Sequence, residues 1–192
     1  MGEKQPQGVS IEPIERTTRR SWTEWMEFMD RIGAADLDHA LIAQKVNEEL
    51  ARMRPPIDNP GWWAQGITVA YEQRSGRRLP GQQPDGTFQM SVSRTSNTDM
   101  QEALEKWVAF AAADPEVSKA IATQPKTSGT DKRHTWRSKA VDGSSLMFTS
   151  EVRPSGKTAL IMQQLKLPSH EANMAAKEFW AGVLDRFVEE TG

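Results

Sequence analysis

The amino-acid sequence predicts an α+β protein: a helical N-terminal domain, then an antiparallel sheet gripped by one long C-terminal helix. Three observations predict it. Apolar residues recur at helical spacing as far as Gly76. Strict alternation takes over at Phe88, Met90 and Val92 against Gln89, Ser91 and Ser93, the period of a strand with one buried face. The chain then closes on an amphipathic stripe, Ala172, Ala176, Phe179, Trp180, Val183 and Phe187, wide enough to cover a sheet.

Residues 1–20 carry Pro, Gly, Gln and charge without a sustained apolar period and read as a flexible arm. Ser21 and Glu24 form a capping box, followed by Trp22, Trp25, Met26 and Met29 at helical spacing. Asp36 is the expected cap of a second helix with Leu37, Leu41, Ile42, Val46 and Leu50 on one side, stopped by Pro55 and Pro56. Asn59 and Pro60 open a third, through Trp63, Ile67, Ala70 and Tyr71 to Gly76. Trp62 and Trp63 are adjacent, so on a helix they point about 100° apart and cannot both enter one core. A polar linker, Arg77 to Gly86, separates this three-helix domain (21–84) from the rest (85–192).

After the strand from Thr87, Thr98 with Gln101 caps a helix carrying Met100, Leu104, Trp107, Val108 and Ala111. A short helical turn from Pro115 to Ala122 and a loop over 124–131 lead to strands Thr135–Val141 and Ser145–Arg153. Asp142-Gly143 between them suits a tight hairpin. Pro154-Ser155-Gly156 turns the chain into Lys157–Leu167, and Pro168-Ser169 introduces the last helix. Four strands are expected in all.

The 192 residues hold 24 Lys and Arg against 26 Asp and Glu, split 11 against 12 up to residue 84 and 13 against 14 beyond. Neither half has the cation surplus that displaces counterions from phosphates, which disfavours nucleic acid as a partner. A helix-turn-helix regulator is disfavoured too, because the third helix presents Trp62, Trp63, Gln65, Thr68 and Glu72 instead of Arg, Lys and Asn. With no cysteine there is no thiolate chemistry and no disulfide, as expected of a reducing compartment. No signal-peptide core and no run of 18 apolar residues occurs, so the sequence predicts a cytoplasmic protein without a membrane partner.

Two phrases, FQMSVSRT leading into MQEALEKWV (88–108) and MQQLKLPSHEANMAAKEFWAGVLDRF (162–187), resemble the START-like, Bet v 1-like superfamily known as SRPBCC. Within it they are most similar to the branch related to the activator of the heat-shock-protein ATPase. The stretch NPGWWAQGITVAYEQRSGRR (59–78) resembles a small helical domain of unknown function that precedes such domains in bacterial proteins. The resemblance covers roughly residues 85–190 and implies a helix-grip fold with an apolar cavity between sheet and helix. The domain is shorter than the superfamily usually shows, and no catalytic motif carries over.

On this architecture Phe88, Met90, Val92, Trp107, Trp136, Phe148, Met162, Phe179, Trp180 and Val183 are placed to line the interior, around a small hydrophobic ligand or simply as core. His39, His134 and His170 share no ligand spacing, so no metal is expected, and no cofactor or catalytic residue is assigned. Glu151 either faces solvent or needs a buried partner. Arg74, Arg77 and Arg78 oppose the third helix's dipole or bind an anion or the neighbouring domain. A binding module for an apolar ligand is the leading function. The alternatives are a protein-interaction or co-chaperone-like module working through the N-terminal helices, a DNA-binding regulator, and a cavity enzyme. No oligomeric state is specified.

Overall fold

The computed structural model describes residues 8–191. Two compact units divide between Pro80 and Gly81. The division falls earlier than residue 85 because Gln82 bridges to Phe88 and the Gln89 amide donates to the Gly81 carbonyl at 2.9 Å, tying the linker's second half to the sheet.

Among the described residues the N-terminal unit has four α-helices, one more than expected: α1 (Glu12–Thr18), α2 (Trp22–Arg31), α3 (His39–Ala51) and α4 (Pro60–Arg74). The additional helix lies in the segment read as a flexible arm. Only two of its side chains, Ile14 and Thr18, are buried, so its apolar period was too short to read. The first seven residues of that arm lie outside the described residues. Thr18 ties α1 to α2, its hydroxyl donating to the Ile14 carbonyl at 2.8 Å and accepting from Trp25 Nε1 at 3.2 Å.

The capping box of α2 forms as expected between Ser21 and Glu24. Asp38 caps α3 instead of Asp36, which sits in a 3₁₀ turn over Ala34–Asp36. Trp25, Phe28, Met29, Ile42, Val46, Leu50 and Ile67 form this unit's core, and Trp63 packs at its edge. The arginines at the end of α4 and just beyond it act as staples: Arg77 donates to the carbonyls of Ala34 and Leu37 at 2.6 Å each, and Arg74 to that of Val9 at 3.0 Å.

The C-terminal unit is an open five-stranded antiparallel sheet with helices on one face. It runs β1 (Phe88–Ser96), α5 (Met100–Ala113), α6 (Pro115–Ala120), β2 (Lys126–Thr130), β3 (Arg133–Lys139), β4 (Ser145–Val152), β5 (Thr158–Leu167) and α7 (His170–Thr191). The strand order is β1-β5-β4-β3-β2. Strand β2 corrects the loop expected over 124–131. All five of its residues are exposed, so it carries no alternation, and pairing with β3 alone makes it a strand. Asp99, not Thr98, caps α5, accepting from the amides of Gln101 and Glu102.

Register places Val92, Met162, Phe148 and Trp136 in one cross-strand row on the helix-bearing face. Helix α7 packs over β1 and β5, while α5 covers β3 and β4. Lys166, at φ 64°, is the unpaired residue of a bulge opposite the Phe88/Gln89 step, which bends β5 where it leads toward α7. Among the described residues no helix is long and apolar enough to cross a membrane.

Candidate functional site

Strand alternation and helical period bring the ten expected lining residues to one core. Phe88, Met90, Val92, Trp107, Trp136, Phe148, Met162, Trp180 and Val183 are buried there, and Phe179 packs half-buried at its edge. Aromatic rings fill the space beneath the sheet. Trp107 lies flat on Phe148 at 4.3 Å between centroids, with Trp136 and Phe187 set edge-on at 6.0 and 5.3 Å. These stacked and edge-to-face contacts give close packing where the sequence left open a cavity or a core.

One concavity lies at an end of the unit instead, an open cleft of about 410 Å³ between α7, the β3–β4 turn and the end of β5. Helix α7 contributes Ala172, Ala175, Ala176, Phe179 and Trp180. The turn supplies Ala140, Val141 and Asp142, and β5 supplies Gln164 and Leu167. Small alanine side chains on successive turns of α7 hold the space open opposite the turn. Trp136 belongs to a second concavity of about 520 Å³ beside α5 and α6, and a third of about 500 Å³, lined by Arg19, Met53, Arg54 and Trp63, lies in the helical unit.

What distinguishes the cleft beneath Phe179 is a buried polar chain in its wall. Trp180 Nε1 donates to Gln164 Oε1 at 2.7 Å. An indole nitrogen is only a donor, so this contact fixes the amide's orientation and turns Nε2 toward Ser144 Oγ at 2.7 Å and Asp142 Oδ2 at 3.3 Å. The Ser144 amide and hydroxyl both donate to Asp142 Oδ1, closing the hairpin turn in which Gly143 has φ 84°. Gln164 is only 7% exposed and sits opposite Met90 and Leu146 on the inner face. The sequence reading missed it. A buried tryptophan needs an acceptor, and Gln164 follows Leu160 and Met162 in alternation, but Ile161 and Leu165 on the other phase obscured which face was inner.

Two arginines fasten α7, which forms one wall of the cleft. Arg94 on β1 holds Asp185 through contacts of 2.6 and 2.8 Å, and its hydrogen bond draws the Asp185 carboxyl below the usual range. Arg186 reaches Asp114 at 3.0 Å and Glu116 at 2.7 Å.

The remaining candidates lie apart from the cleft. His39 bridges α3 and α4, its Nδ1 3.0 Å from Glu72 and its Nε2 2.8 Å from Gln65. His170 meets Phe88 edge-on at 5.9 Å, and His134 lies in β3 opposite Ser150. No group of three or more metal-ligating side chains occurs among the described residues. Glu151 is partly exposed and pairs with Arg133 and Arg153 at 3.1 and 3.7 Å.

No protein-family model matches the chain, and no curated protein matches it in sequence. Among solved structures it is similar to CalU16 from Micromonospora echinospora, at 12% sequence identity and a TM-score of 0.34, over 56% of this chain and 76% of that one.

Proposed function

We propose that the C-terminal unit is a non-catalytic binding module of the SRPBCC type its sequence resembles, taking a small, largely apolar molecule into the cleft beneath Phe179. The composition of that cleft carries the reading: alanine, leucine, valine and aromatic walls around one buried polar chain, the usual make-up of a small-molecule site. The ligand sits at the end of the unit because stacked rings occupy its centre. Asp142 is the one titratable side chain among the residues lining the cleft, so no acid–base pair converges there and binding is favoured over catalysis. A cytoplasmic location belongs to the same proposal.

The neutral apolar dye N-phenyl-1-naphthylamine tests it. Its fluorescence should rise saturably with the protein, and Ala175→Trp, which puts a bulky ring at an exposed position of the wall, should abolish the rise while thermal unfolding stays cooperative. Absent dye binding, or binding indifferent to Ala175→Trp, refutes the reading. One observation favours a second reading, a protein partner at the N-terminal helices: Trp62 on α4 is 67% exposed. A partner that co-purifies with the native chain but not with Trp62→Ser would support it.

A further inference from the structure

The proposal of a ligand in this cleft can be carried further, to the chemistry of its polar end. Every side-chain donor in the lining is already used. Trp180 Nε1 is spent on Gln164 Oε1, and both amide hydrogens of Gln164 are directed at Ser144 and Asp142. The Ser144 hydroxyl, one step behind the wall, donates to Asp142. What the cleft retains is acceptor capacity. Asp142 Oδ2 is approached only by the long 3.3 Å contact from Gln164, and Gln164 Oε1 has one lone pair left after Trp180.

Asp142 is also a carboxylate whose hydrogen-bond partners are all neutral, the Ser144 amide and hydroxyl and the Gln164 amide, and no cation pairs with it among the described residues. It stands exposed at the rim of walls that are apolar apart from Gln164 and the Trp180 indole N–H. Phe179, half-buried in the same lining, adds a π face at which a cation is attracted.

We infer that the cleft selects an apolar molecule bearing a protonated amine, with the apolar body against the α7 alanines and Phe179 and the ammonium on Asp142 Oδ2. A carboxylate or phosphate head is rejected, because it would meet acceptors and a negative charge with no free side-chain donor in the lining. Asp142 thereby serves two ends: Oδ1 closes the hairpin turn and Oδ2 reads the ligand.

Three probes sharing one apolar body test this: 2-naphthylmethylammonium, the uncharged 2-ethylnaphthalene and 2-naphthoate, each titrated by calorimetry at about pH 7, where amine and carboxylates are charged. The ammonium should bind roughly tenfold tighter than the neutral probe, the scale of one charge-assisted contact, and naphthoate more weakly than either. Asp142→Asn keeps an acceptor for the turn and should remove the ammonium's advantage over the neutral probe. A measurement needing no variant is salt: going from about 20 mM to about 0.5 M should weaken only the ammonium. Equal affinity for the ammonium and neutral probes, or a preference that survives Asp142→Asn, overturns the amine assignment and leaves the cleft standing as an apolar site. Failure of all three probes to bind, or binding untouched by Ala175→Trp, overturns the cleft and the amine assignment together.

Discussion

Trp180, Gln164 and Ser144 show what a single interior polar group does to its neighbours. Removing Trp180 or Gln164 leaves the other's atom at their shared contact buried and unpaired. Trp180→Phe keeps a ring in place but strands Gln164 Oε1, and Gln164→Leu strands the indole N–H; each should cost about 1–3 kcal/mol. Combined, the two substitutions remove both partners, so the double variant should lose less than the sum of the singles in urea unfolding. Strict additivity would mean that the 2.7 Å contact carries no coupling. A tryptophan on the buried stripe of α7 makes an acceptor for its N–H the usual expectation. Which residue answers it was not legible in the sequence, because the partner lies 16 positions away on another element.

At the scale of elements, α6 shows how a helix of six residues is held. A helix this short is not stable alone, and Asp114 supplies what it lacks. Its carboxylate accepts from the amides of Glu116 and Val117 at 2.9 and 3.0 Å and pairs with Arg186 on α7. Burial pushes this carboxyl up, but the Val117 amide, Arg186 and the Glu116 amide together outweigh it and hold the group below its ordinary value. A carboxyl depressed in the folded state contributes stability that is fully present above its unfolded value and lost as pH falls through the folded one. Asp114→Ala should therefore cost about 1–2 kcal/mol near neutral pH. The gap from the parent protein should narrow below about pH 4, as followed by thermal melts across pH. A gap that is constant with pH would remove the carboxylate from the account. The turn expected from Pro115 was legible in the sequence; its cap Asp114 and the Arg186 partner, 72 residues away, were not.

For the whole molecule, two separate hydrophobic clusters make two cooperative units the expectation. Ile67→Ala in the helical core and Phe148→Ala beneath the sheet each delete a fully buried side chain, at a cost of about 2–5 kcal/mol. Calorimetry should resolve two transitions, each substitution lowering only one. A single transition moved by both would show that the chain unfolds as one body.

The amino-acid sequence by itself determined the α+β class, the capping box at Ser21, the change from helical to strand period after Gly76, and nine of the ten residues placed beneath the sheet. Those features depend on local chemistry and on the period of apolar residues, both written along the chain. The tertiary structure alone decided the rest. Strand β2 exists because β3 offers it hydrogen bonds, not because KTSGT favours a strand. Trp107, Trp136 and Phe148, three of the ten residues expected around a ligand or as core, pack face to face and face to edge, a matter of ring orientation that spacing does not encode. The cleft arises where the alanines of α7 fail to fill the space beside a hairpin turn, and its polar chain joins residues 142, 144, 164 and 180, drawn together only by register and helix packing.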